Sequence, residues 1–169
     1  MREGIMLQHV TLTLILPLLV TGSLHAPQVD DPVQKFQMQL AAAERGDRNA
    51  QNEVGVMYAE GRGVQADQGE AVRWFQKSAD QANPFAACNL GQHYGRGAGV
   101  KRDVITGLMW IHIGMLLDPL DCYPLEDEIL RAFGRQPSRA QSEKGYRRAV
   151  KWLKDRPTLR NAFGQRPWQ

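Results

Sequence analysis

The sequence predicts an all-α protein, an α/α solenoid built from antiparallel helix pairs. Three observations carry that expectation. The phrase GRGVQADQGEAVRWF at 61–75 returns as GAGVKRDVITGLMWI at 97–111, a shift of 36 residues. Apolar positions within each copy recur at helical spacing, without the alternation of a strand. Each copy also holds a G-x-G turn followed by an acid that can start a new helix. A fixed period of this length, with matches spread through the unit, marks a stack of repeated hairpins.

The chain opens on an apolar run, IMLQHVTLTLILPLLV at 5–20, followed by the small residues of TGSLHA. Residues 1–26 therefore read as a secretory signal peptide, the run being short for a membrane span. An uncleaved anchor and a buried helix are the alternatives. Arg2 is the single positive charge ahead of the run, and Glu3 cancels it. Cleavage after Ala26 would leave Pro27 first, so Gly22 and Ser23 are alternative sites. The mature chain is expected to lack a membrane span and to be exported, periplasmic or secreted.

Residues 30–49 form a half-unit, with Asp31 and Pro32 as a plausible helix start. Two full units follow, 50–84 and 85–119. The shift of 36 pairs Ala50 with Ala86, Gly55 with Gly91, Tyr58 with Tyr94 and Gly61 with Gly97. It also pairs Gly63 with Gly99, Asp67 with Asp103 and Trp74 with Trp110. Ala50, Val54 and Tyr58 make one stripe of a first helix. Gly55 inside that helix costs about 1 kcal/mol relative to Ala, a cost offset by letting a neighbouring helix come close. The G-x-G ends the helix, because glycine accepts the left-handed conformation a reversal needs. Asp67 caps the next helix, with Glu70 placed to complete a capping box. Asp103 has Thr106 in place of the glutamate, which predicts a weaker cap. Residues 120–156 read as a closing helix pair, the second carrying a Ser138/Gln141 capping box and a stripe of Tyr146, Ala149, Val150 and Leu153. Residues 157–169 read as a loose tail.

The unit AQNEVGVMYAEGRGVQADQGEAVRWFQKSADQAN resembles the Sel-1-like repeat family, relatives of the tetratricopeptide repeats. The resemblance covers Ala50 to about Met115 and follows the pattern A…LG..Y..G.GV..D...A..W...AA. It implies a right-handed superhelix of helix pairs that binds other proteins and carries no catalytic site. Gly107 departs from the pattern's alanine, and IHIGMLLDPLDCYP lacks the usual small helix-ending residues. Some cysteine-rich secreted relatives are β-lactamase-like, but they staple every repeat with its own cysteine pair, and this chain has only Cys88 and Cys122.

Composition fits a packed core, 43% hydrophobic and 23% charged. The net charge of +3 hides two halves. Residues 27–130 carry nine Lys/Arg against fifteen Asp/Glu, and residues 131–169 carry eleven against two. Neither glycine loop supplies a third glycine or a G-K-[ST], and both lie between helices, so they are not phosphate cradles. No nucleophile signature and no H-E-x-x-H occurs, and His93 and His112 have no ligand-spaced partner. No cofactor or metal is expected. The Tyr58, Trp74, Phe75, Tyr94 and Trp110 aromatics repeat with the unit and read as core. Cys88 and Cys122, one repeat length apart, could bridge in an oxidising compartment or stay free thiols.

Two surfaces remain as candidate partner sites. Glu53, Met57, Gln92, His93 and Arg96 lie off the apolar stripes of the first helices and would face a protein partner. Arg139, Arg147, Lys151 and Lys154 would contact an anionic envelope surface, or else simply be solvated. Nucleic acid is not an expected client of an exported chain.

Overall fold

The computed structural model describes residues 31–119, 133–134 and 136–162. These residues are helical, with no strand among them. The helices are α1 (Pro32–Glu44), α2 (Arg48–Glu60), α3 (Gln68–Asp80), α4 (Pro84–Arg96), α5 (Val104–Leu117), α6 (Arg139–Lys154) and α7 (Pro157–Ala162). From α1 to α5 each helix packs on the next, and α6 packs on α5. That succession of neighbours is the contact pattern of a solenoid.

The period is written in the caps. Asp31, Asp67 and Asp103 stand 36 residues apart and each begins a helix, its carboxylate accepting N–H bonds from the first turn. Asp47 and Asn83, also 36 apart, do the same for α2 and α4. Each such cap satisfies backbone donors that have no partner inside the helix. α1 is thus the second helix of a unit whose first helix is absent from the described residues.

Two sequence expectations about these caps are corrected. Glu70 does not close a capping box on Asp67: the Asp67 N–H donates to the Tyr58 carbonyl at 2.9 Å, and Glu70 pairs with Arg73. The Asp103 N–H likewise reaches the Tyr94 carbonyl at 3.0 Å. The second cap is not the poorer one either, since Thr106 Oγ1 donates to Asp103 Oδ2 at 2.7 Å. That bond, followed by the Thr106 and Ile105 N–H bonds and the Arg148 charge, holds the Asp103 pKa below its ordinary value against the opposing effect of burial. The Ser138/Gln141 box at the start of α6 forms as expected.

The loop glycines do two jobs. Gly61 and Gly97 are the left-handed caps of α2 and α4, at φ 73° and 78°. Gly63 and Gly99, also left-handed, lie against the start of the helix one unit earlier. A methyl on Gly63 would strike the Pro32 carbonyl, and one on Gly99 would strike the Gln68 carbonyl. Pro32 and Gln68 are themselves 36 residues apart, so the same backbone contact joins each unit to the one before it.

Inside the hairpins, Gly55 and Gly91 let the second helix close in. A methyl on Gly55 would sit 2.6 Å from the Phe75 ring, and one on Gly91 would sit 2.5 Å from Ile111 Cγ1. Trp74 and Trp110 are 8% and 4% exposed and occupy matching places. Trp74 clusters with Ala50 and Val54, and Trp110 with Ala86 and Leu90, the same pair one period on. Gly107 also has its reason: a methyl there would lie 3.0 Å from the Phe133 ring and 2.9 Å from the Gly91 carbonyl. On α6 the buried stripe is Gly145, Ala149 and Leu153. Tyr146 is outside it, 40% exposed with its ring edge-on to His112.

Cys88 is fully buried on α4 and disulfide-bonded. Cys122 and the first helix of the expected closing pair lie outside the described residues, as do the 1–26 segment and the end of the tail. No helix among the described residues is long and apolar enough to cross a membrane.

Candidate functional site

The five partner-facing positions expected on the first helices separate into three groups. Met57 is 1% exposed and sits in the core beside Phe36, Val54 and Trp74, so it contacts no partner. α1, the half-unit expected at 30–49, brings Phe36 into the cluster that encloses it. Glu53 is half-buried in a groove between α1 and α2, within 3.9 Å of Lys35 and 3.4 Å of Arg62. Gln92, His93 and Arg96 come together in a different place.

That place is a cleft of about 380 Å³ between α2 and α4. Positions 89, 92, 93 and 96 recur at three- and four-residue steps and so share one face of α4. Val56, Ala59 and Glu60 of α2 form the opposite wall. The rings and amides of α3 close the cleft, with Phe75 and Gln68 lining it. Sequence reasoning missed Gln68 and Asn89, the first because it reads as the opening residue of α3 and the second as an interior residue of α4.

Hydrogen bonds fix the walls. Asn89 Nδ2 donates to Asn52 Oδ1 at 3.0 Å, tying α4 to α2. Gln68 Nε2 donates to the Ala59 carbonyl at 2.8 Å, satisfying a carbonyl in the last turn of α2. His93 lies with Nδ1 at 2.9 Å from the Asn89 carbonyl and Nε2 at 3.1 Å from Gln68 Oε1. Its ring also stacks at a tilt on Phe75, 5.2 Å between centroids. Burial lowers the His93 pKa, the Arg96 charge adds to this, and the Asn89 carbonyl pulls the other way. His93 is therefore a pinned structural ring in the cleft wall.

Gln92 is only 8% exposed, and its amide meets no hydrogen-bonding group among the described residues. Arg96 is exposed at the rim and has no carboxylate partner among them. Across the mouth, Glu60 is held by Arg62 Nε at 2.6 Å.

The 48–113 geometry has a known counterpart. The Sel1 repeat family matches residues 48–83 and 84–113, the two hairpins α2–α3 and α4–α5. The chain carries Sel1 repeats. The ERAD-associated E3 ubiquitin-protein ligase component HRD3A of Arabidopsis thaliana is 37% identical over 67 residues, 39% of this chain and 10% of that protein. The chain therefore spans about a tenth of that relative. Among solved structures, a protective antigen of uropathogenic Escherichia coli strains with an SLR fold superposes at a TM-score of 0.64 and 20% identity. That match covers 81% of this chain and 30% of the antigen, and establishes the fold alone. A Sel1 repeat protein from Oxalobacter formigenes aligns at a TM-score of 0.47 with 26% identity, over 70% of this chain and 54% of that one. Sel1 repeats generally mediate protein interactions, on a scaffold that is generally non-catalytic.

The second candidate surface is on α6. Arg139, Arg147, Lys151 and Lys154 are all exposed. Helical spacing sets Lys144, Arg147, Lys151 and Lys154 on one face, opposite the buried Gly145, Ala149 and Leu153. Arg139 is apart from them, lining a shallow depression with His112, Ser142 and Tyr146. Arg147 pairs with Glu143.

Proposed function

We propose that this protein is an exported, non-catalytic scaffold that holds a partner protein in the cleft between the first helices of its two Sel1 repeats. The observation that carries this reading is the cleft itself. Its walls are fixed by Asn52–Asn89 and Gln68–Ala59 bonds, while Gln92 and Arg96 are left with hydrogen-bonding capacity to spend on something else. Its polar groups are amides, a guanidinium, a histidine packed on Phe75 and a carboxylate paired with Arg62, a set suited to recognition rather than bond making. Repeat scaffolds act in this way, a rigid frame presenting variable side chains. The apolar run at 5–20 supports export, and the disulfide at Cys88 suits an oxidising compartment.

Photo-crosslinking tests the docking face. A benzoylphenylalanine at Glu60 or Ala98, on the cleft rim, should trap a discrete adduct in the native envelope fraction. The same probe at the exposed Arg73 on α3 should not. Adducts from all three positions alike would refute a dedicated face. Export is checked by N-terminal sequencing of protein from the extracytoplasmic fraction, which should begin between residues 23 and 27. Purified protein should leave a chromogenic β-lactam unhydrolysed.

The face of Lys144, Arg147, Lys151 and Lys154 favours a second reading, an envelope-surface adaptor held by its basic end. Removing α6 would not test it, because α6 buries Gly145 against Leu108 of α5. The double substitution Lys144→Glu, Lys151→Glu leaves the packed face intact. It should abolish co-sedimentation with anionic vesicles if the reading holds, and leave it unchanged if the charges are only solvated.

A further inference from the structure

Taking that cleft as the docking face, the polar groups lining it can be sorted by whether they are already engaged. Asn89 is bonded to Asn52, Gln68 to Ala59, and the His93 ring lies between two acceptors, the Asn89 carbonyl and Gln68 Oε1, with its N–H given to one of them. Glu60 is neutralised by Arg62. What remains is the amide of Gln92, which lines the cleft without a partner among the described residues, and the guanidinium of Arg96 at the rim. The two sit one turn apart on the same face of α4, so their side chains are about 5–6 Å apart at Cβ.

A primary amide presents one acceptor and two donors, the complement of a peptide N–H and C=O. A guanidinium beside it, with Glu60, the one acid among the described lining residues, already engaged, leaves the uncommitted charge positive. We infer that the cleft recognises an internal peptide segment bearing an aspartate or glutamate, its backbone amide meeting Gln92 and its carboxylate meeting Arg96. The body around the cleft is acidic, with fifteen Asp/Glu against nine Lys/Arg over residues 27–130. The net negative field of the body would therefore repel such a segment, and selectivity for it has to arise from these two residues.

Three blocked tripeptides, acetyl-Gly-Glu-Gly-amide and its Gln and Lys counterparts, are titrated into the 15N-labelled full chain. The Gln92 side-chain NH₂ and Arg96 Nε–H cross-peaks should move with the Glu peptide, about tenfold more tightly than with the Gln peptide, as a charge-assisted bond requires. The Lys peptide should leave them still. Arg96→Gln should bring the Glu peptide down to the level of the Gln peptide, and Gln92→Leu should weaken both. Equal response to all three peptides overturns the acidic selectivity while leaving the cleft as a peptide site. Shifts confined to α6, or none in the cleft, overturn the peptide assignment, and cleft crosslinks from the native envelope would then still stand for a different occupant.

Discussion

The two repeats share one template and differ in what covers their second helices. In α3 the outward residues Arg73, Lys77 and Asp80 are exposed, and Lys77 lies over the Trp74 ring at 3.8 Å. In α5 no residue is exposed at all. VITGLMWIHIGMLL is apolar on nearly every side because α4 packs on one flank, α6 on another, and Phe133 fills the gap at Gly107. Trp110 accordingly meets Trp152 of α6 edge-on at 5.5 Å, whereas its counterpart Trp74 is met by a lysine. Composition within a repeat thus records what stands on its outer side.

If each loop docks on the unit before it, substitutions there should be the most damaging, and more so in the middle of the stack. Gly99→Ala forces a methyl into the Gln68 backbone from a left-handed residue and should cost about 4 kcal/mol. Gly63→Ala makes the same clash against α1, which ends the described stack and can fray, so roughly 2 kcal/mol is expected. Thermal unfolding of the two variants checks the order; an equal or reversed order would break the comparison.

Closure of the second repeat by α6 is the next target. A Gly145→Val side chain begins 2.7 Å from Leu108 Cβ and should cost about 2 kcal/mol by overpacking. Hydrogen exchange should rise in α5 and α6 and remain unchanged in α2.

Cap strength follows. Asp103→Ala should cost about 1 kcal/mol near neutral pH, measured by urea unfolding. Because the folded-state pKa is depressed, the cap's contribution is complete above the ordinary value of 3.8 and is lost as pH falls through the folded value. The variant should therefore show a shallower acid limb than the parent.

His93 gives the smallest effect. Its pKa is lowered by folding, so the unfolded chain holds more protons once the pH drops below about 6.5. Stability should decline through that range in the parent and decline less in His93→Gln.

The period, the glycine turns, the aspartate caps and the buried tryptophans were legible because a repeat states each requirement twice. The cleft was only half legible. His93 and Arg96 could be placed off the apolar stripe, but Met57 could not be known as buried without α1 laid across it. Gln68 was hidden for a related reason: it is a helix-start residue by sequence, and reaches the cleft only because the loop folds it back under the Ala59 carbonyl. The failed capping box at Glu70 is the same lesson, since the competing acceptor was Tyr58, nine residues upstream of Asp67 and local only after the turn closes.

The stacking joint, Gly63 on the Pro32 backbone and Gly99 on the Gln68 backbone, can be observed directly. Nuclear Overhauser contacts should run from the Gly63 Hα protons to the Val33 amide and from the Gly99 Hα protons to the Gly69 amide, matching signals one repeat apart. Finding one set without the other, or neither, would contradict the shared joint.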